Sequence, residues 1–373
     1  MSYRIATLVL AAAFLASCGS TPQPASTPPL LSPTAAASPR AAATNPCAAV
    51  IAELAPRQKL AQLLVVGVSP TDPAAAVRLV RDEQVGGIFI GGNPTTLLRD
   101  NALAPVRQAA RHNISIAVDE EGGRVQRIDQ LDGPIPSARA MAKTMTVDQV
   151  RELARTRGDQ LRARGVTVDF APSLDVSAQP DDGPIGDRSF SDDPATARAY
   201  GLAFATGLSE AGVRPVLKHF PGHGHARGDS HDGSVTTPPL DSLRTNDLVP
   251  YRSIGDFGDA SVMVGHLSVP DLTGGTPASI SPQAYRLLRG EYRFTGPVIT
   301  DDLGAMKAIT DAYSLPDAVL RALLAGADQA LWSSGGDVGP VLDRLERALA
   351  DGELPATRVT DALARVLPAK HAC

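Results

Sequence analysis

Four of the seven histidines fall at positions 219, 223, 225 and 231, and Asp229 lies among them. Two kinds of chemistry use such a run. A zinc site draws on His and Asp ligands, whereas a proton-transfer site pairs an imidazole with a carboxylate that raises its pKa and orients it. Barrel metal sites take their ligands from several strand ends, so four His crowded on one strand and its loop fit the proton-transfer reading better, and no metal or other cofactor is expected. Further charged groups stand directly after short apolar runs: Asp119, Lys218-His219, His266 and Asp301-Asp302. One such group would read as a structural ion pair. Four together read as a pocket in which groups from separate strands converge.

The elements that must carry these groups follow from hydrophobic patterning. Eight apolar or β-branched runs, at 63–68, 87–90, 114–118, 166–171, 215–218, 261–264, 297–300 and 328–331, alternate with longer stretches of helical spacing. Among the helical stretches are 73–83, 147–164, 194–211 and 338–350. Eight strand–helix units predict an α/β fold, a single (β/α)8 TIM-type barrel with its site at the C-terminal strand ends. A doubly wound Rossmann-like sheet is the alternative, but no Gly-rich dinucleotide fingerprint supports it.

The run Lys218-His219-Phe220-Pro221-Gly222-His223-Gly224, continued by Asp229-Ser230-His231, resembles the signature of glycoside hydrolase family 3 in its β-N-acetylglucosaminidase branch. Asp119-Glu120-Glu121-Gly122-Gly123-Arg124-Val125-Gln126-Arg127 and Ile299-Thr300-Asp301-Asp302-Leu303 resemble two further motifs of that branch, in the same order. The resemblance implies a retaining β-N-acetylhexosaminidase that removes terminal N-acetylglucosamine from glycans, with peptidoglycan fragments as the natural source. It makes Asp301 the nucleophile, His231 the general acid/base and Asp229 the group that polarises it. Asp302 rivals Asp301, but successive strand residues point to opposite faces and the resemblance favours Asp301. It also puts Asp119, Arg127, Arg188, Lys218 and His219 on the sugar, with His266 and Asp175 beside them. Arg124 and Glu121, next to a Gly pair, are expected to serve the turn. The Gly-rich loop 221–239 would swing His231 over the bound sugar. His225, Ala226 and Arg227 depart from the commonest form of the signature, which leaves the loop's conformation open but keeps His231 in register. A second, sandwich domain found in many relatives is not expected. Three alternatives remain beside hydrolysis: phosphorolysis by the same residues, a zinc metallohydrolase, and a non-catalytic sugar-binding lipoprotein. Substrate-assisted catalysis by the acetamido group is a fourth, concerning mechanism only.

Charge and cysteine usage bound the setting. With 35 Lys and Arg against 40 Asp and Glu the net charge is −5, which disfavours nucleic acid as a partner. Residues 1–17 carry Arg4 and an apolar run too short to span a bilayer, and Leu15-Ala16-Ser17-Cys18 resembles a bacterial lipobox. Residues 1–17 are therefore expected to be a signal peptide and 18–46, with seven prolines from Gly19 onward, a tether from a lipidated Cys18 to the barrel domain 47–373. This places a monomer outside the cytoplasm, anchored to the cell membrane. Export favours disulfides, and Cys47 and Cys373 mark the two ends of the barrel domain, so they are expected to pair. Thiol titration of the unreduced protein should detect neither of them; two reactive thiols would refute the pairing.

Overall fold

The structure, a computed structural model, describes residues 46–373. The expected signal peptide, lipidated Cys18 and tether therefore lie outside the described residues, apart from Pro46. Eight parallel strands form the central sheet: β1 Leu64–Val68, β2 Gly87–Ile90, β3 Ser115–Val118, β4 Val168–Asp169, β5 Arg214–Phe220, β6 Ser261–Val264, β7 Val298–Thr300 and β8 Ala330–Trp332. They pair in chain order, and β8 returns to β1 with Ala330 opposite Leu64. Between β7 and β8 the seam is held by an Ile299–Gln329 bridge, by the Thr300 amide on the Gln329 carbonyl (3.1 Å) and by the Leu303 amide on the Leu331 carbonyl (2.9 Å). The sheet thus closes into the (β/α)8 barrel, and the open doubly wound alternative is set aside.

All eight expected strands form, 87–90 and 261–264 with the expected bounds and the other six with shifted ends. β4 is the shortest, because the chain leaves the ladder after Asp169. β5 runs on to Phe220, and its pairing with β6 shifts register between Leu217 and Phe220. Inside the barrel one side chain per strand packs a closed layer: Val65, Phe89, Ala117, Phe170, Val216, Met263, Ile299 and Leu331. Phe89 and Phe170 stack with ring centroids 5.3 Å apart, filling the space above the small Ala117. The barrel is therefore a packed core and not a pore.

The expected helices form at Pro73–Glu83, Val147–Ala163, Pro194–Glu210 and Gly339–Ala350. Their starts are written locally. The Asp72 and Asp193 carboxylates accept from the amides of Ala75 (2.9 Å) and Thr196 (2.8 Å), each with proline in the first turn, and Thr146 and Gln149 form a reciprocal capping box.

The N-terminal end of the barrel is held by a buried ion cluster and a covalent clasp. Asp328, fully buried before β8, accepts from Arg289 (2.6 Å), Arg358 (2.7 Å), Arg365 (3.1 Å) and the Val298 amide (3.0 Å). It thereby joins the last helix, Ala356–Ala369, to the starts of β7 and β8. Cys47 and Cys373 are joined by a disulfide with Cα atoms 5.3 Å apart. Next to it, Asn113, just before β3, donates to the His371 carbonyl (2.6 Å). Removing one side of a buried ionic cluster strands the other, so Asp328→Ala should cost about 3–5 kcal/mol. A urea denaturation midpoint unmoved by that substitution would refute the assignment.

Candidate active site

A cavity of about 890 Å³ opens where the C-terminal ends of the strands meet. Its wall includes Asp119, Arg127, Arg188, Lys218, His219, Asp229, His231, Asp301 and Asp302. These residues come from the strand ends and loops of β3, β4, β5 and β7, between Asp119 and Asp302 in the chain. On the other side lie Val68, Pro70, Ala75 and Leu79 after β1, and Ser333–Gly336 after β8. Trp332 ends β8 inside the core and donates from Nε1 to the Gly335 carbonyl (3.2 Å), which shapes that last loop.

The polar wall is built around Lys218. Its ammonium, nearly inaccessible to solvent, donates to Asp119 (2.8 Å) and Glu121 (2.6 Å). Burial would lower its pKa, but the two carboxylates outweigh burial and raise it, so the lysine stays charged. Glu121 also takes two parallel bonds from Arg188, 2.8 Å from Nε and 2.7 Å from Nη2. Burial pushes the Glu121 carboxyl up, and Arg188 and Lys218 override it and hold it far below the usual carboxylate range. Arg127 approaches the other Asp119 oxygen (3.6 Å). Glu121 was expected to serve the turn and instead pairs both cations. Asp119 and Glu121 are two residues apart just beyond a strand, a spacing that puts both on one face, and that was the signal available in the sequence. Arg124 does serve the loops: it donates to the carbonyls of Asp181 (3.0 Å), Gly183 (2.6 Å) and Ile185 (3.1 Å), and so fixes the segment that carries Arg188. Gly122 is required by its φ of 95° and by the Pro136 carbonyl, which a Cβ would strike.

Lys218 and His219 are adjacent yet both reach the cavity, because the register shift between Leu217 and Phe220 breaks the alternation of β5. Asp175 stands behind them, fully buried. One of its oxygens accepts from His219 Nδ1 (2.7 Å) and from the Ser173 hydroxyl (3.0 Å), the other from the His223 amide (2.7 Å). Burial would raise the Asp175 carboxyl, but His219 and His223 hold it well below the usual range. Asp175 is a positioning residue, and the carboxylate leaves Nε2 as the free ring nitrogen of His219. His223, expected only as a ligand in the zinc alternative, also lines the cavity, and its Nδ1 is buried without a partner among the described residues.

Asp301 and Asp302 both reach the cavity wall, but their hydrogen bonds separate them. One Asp302 oxygen accepts from the amides of Gly304 (2.9 Å), Ala305 (3.2 Å) and Ser333 (3.0 Å), so it builds the turn. The Asp301 carboxylate accepts only the Asp302 amide (2.9 Å) among the described residues. Burial would raise its pKa; His219 and that amide outweigh burial and lower it, so the carboxylate is ionised. His266, expected on the sugar, is not in the cavity wall. Its Nε2 donates to the Asp302 carbonyl (2.8 Å) and its Nδ1 accepts from the Ser279 hydroxyl (2.7 Å), which consumes both ring nitrogens. Burial lowers its pKa, in keeping with a neutral ring that supports the Asp301 strand from behind.

The loop after β5 is a hairpin at its outer end. Arg227 and Thr236 exchange amide bonds (2.8 and 3.2 Å), and Val235–Thr236 pairs with Leu267–Ser268 beyond β6. The tip carries Asp229 and His231, and one Asp229 oxygen accepts from both the His231 amide (3.0 Å) and Nδ1 (2.8 Å). The His231 side chain is 64% exposed at the cavity mouth. Ser230 between them is buried and gives its carbonyl to the Ala308 amide (3.2 Å). His225 turns away to Asp247 (3.0 Å), so the rings of His219, His225 and His231 bond to three different carboxylates. Among the described residues no three His, Cys, Asp or Glu side chains are grouped as a metal-ligand set.

Charge-assisted bonds contribute about 1.5–3 kcal/mol each, so Glu121→Gln should lower kcat/KM by about ten- to a hundred-fold, chiefly through KM. A KM left unchanged on a chromogenic N-acetylglucosaminide would refute the role given to Glu121.

Comparison with known proteins agrees with this geometry. The glycosyl hydrolase family 3 N-terminal domain matches residues 56–369. The chain is 52% identical to the beta-hexosaminidase LpqI of Mycobacterium tuberculosis, over 98% of this chain and 96% of that protein. It is 34% identical to a beta-hexosaminidase of Stenotrophomonas maltophilia, over 72% and 82% of the two chains. Among solved structures, a GH3 glycosyl hydrolase from Mycobacterium smegmatis superposes with a TM-score of 0.83 at 54% identity, over 86% of this chain and 98% of that one. A closed barrel, a cavity at its C-terminal end and this extent of likeness together place the chain in glycosyl hydrolase family 3.

Proposed function

We propose that the protein is a retaining, exo-acting β-N-acetylhexosaminidase that releases terminal N-acetylglucosamine from short glycans. The observation that carries this reading is the pairing, in one cavity, of an ionised Asp301 on a strand end with an Asp229–His231 pair at the mouth. Asp301 attacks the anomeric carbon as the bond to the leaving oxygen breaks, and His231, as imidazolium, gives that oxygen its proton. A glycosyl ester on Asp301 results. Neutral His231 then takes a proton from water, the water attacks the anomeric carbon, and Asp301 leaves as a carboxylate. The Asp119, Glu121, Lys218, Arg188 and Arg127 groups offer donors and acceptors suited to the hydroxyls of one sugar.

The natural substrate we infer is a peptidoglycan fragment, cut by a monomer held at the outer face of the cell membrane through acylated Cys18. The lipobox-like Leu15-Ala16-Ser17-Cys18 and the Pro-rich stretch after it support that placement.

Asp301→Asn should lower kcat by at least about 10³-fold while substrate still binds. A slow fluorinated substrate should trap a glycosyl group on Asp301. His231→Ala should slow hydrolysis by about 10²–10⁴-fold on poor leaving groups, and much less on activated aryl glycosides. Equal losses on both substrates would refute His231 as the acid, and product carrying phosphate when phosphate is supplied would replace hydrolysis by phosphorolysis. Attack requires ionised Asp301, so kcat/KM falls as pH drops through its pKa. Because that pKa lies below the ordinary 3.8, the acid limb of the profile should lie below pH 3.8.

A further inference from the structure

The opposite end of the barrel carries a second cavity, of about 670 Å³, that the sugar chemistry does not use. Arg107, Arg162, Arg214 and Lys370 line it, against one acidic side chain, Asp259. None of the four cations is ion-paired to a carboxylate among the described residues. Arg214 gives its hydrogens to the carbonyls of Ala369 (3.1 Å) and Asp259. Lys370 is 8% exposed, and among the described residues its ammonium meets only the Gln62 side chain and the Gly86 carbonyl. Burial pushes Lys370 down to about 7, and an anion in the cavity would draw it back up. Arg107 and Arg162 are exposed and lie over the turns that enter β4 and β5. The first of these turns holds Gly165, with φ of 92°, where a Cβ would collide with the Arg107 guanidinium. The bare backbone thus makes room for the cation above the cavity. Such concentration of unpaired cations, in a chain of net charge −5, is a local field that favours multivalent anions.

The position of this cavity bears on what would fill it. Lys370 lies three residues before Cys373, which is bonded to Cys47, so the segment that precedes the barrel joins it at this same end. The sugar cavity opens at the other end. We infer that the basic cavity at the N-terminal end of the barrel docks on phosphate-bearing anionic lipid headgroups, so that the anchored enzyme stands with its active site turned away from the membrane. The inference rests on the membrane placement proposed above.

The test uses the chain from residue 18 with Cys18→Ser, which removes any acyl group and leaves the cavity alone to bind. It should sediment with phosphatidylglycerol vesicles and not with phosphatidylcholine vesicles, and high salt should release it. Arg107→Ser with Arg162→Ser should weaken the binding about ten-fold or more, at roughly tenfold or less per cation, and leave turnover of a chromogenic glycoside unchanged. Arg107→Lys with Arg162→Lys should restore it. Equal binding to both lipids, or an unaffected double Ser variant, overturns the inference. So does release from vesicles by millimolar inorganic phosphate, which would mark a free-anion site, or retention on lipid-free cell-wall polymer in preference to vesicles. Mass spectrometry of Cys18 in protein from its native membrane tests the anchor separately: an unmodified Cys18 would remove the anchor, whatever the vesicles show.

Discussion

The site is organised around a buried ammonium. Lys218 lies near the end of β5 almost out of reach of water, and such a charge is tolerated only with counter-charges in direct contact. Asp119 and Glu121 supply them from the end of β3. Glu121, once buried itself, needs a second cation, and Arg188 provides it from a loop that Arg124 holds in place. Each member is therefore required by another, and the chain of requirements spans three separate loops. What emerges on the cavity side is a fixed set of donors and acceptors whose own partners hold them still.

The parts around this set divide into rigid and movable. Asp301 and its turn are held by amides, by His266 and by the seam between β7 and β8. The Asp229–His231 pair sits on a hairpin tip whose base is tied by Arg227–Thr236 and by the strand pair beyond β6. Freedom to swing is thus confined to about the residues between those two pairings, a shorter lever than the whole 221–239 loop suggests. Ser230 docks the tip by accepting from the Ala308 amide.

Much of the barrel was legible because strands buried on both faces must be apolar along their length, and charge at their ends then stands out. The helix starts were legible for a similar reason, since Asp72, Thr146 and Asp193 act on neighbours three residues away. What failed depended on distant partners. His266 ends a strand as a site residue would, but Ser279 and the Asp302 carbonyl, which absorb it, are placed by the fold. Glu121 looked like part of a turn until Arg188, 67 residues on, was beside it. The two in-line residues Lys218 and His219 share a cavity only because β5 loses register, which no alternation pattern announces.

The Cys47–Cys373 clasp has a consequence for durability. With its halves 326 positions apart in the sequence, it turns the barrel into a covalent ring. A single cut by a protease in any surface loop opens that ring without dividing it, and both fragments stay joined beside a core that still packs around the same eight strands. The ring thus converts a first cleavage from a loss into a scar.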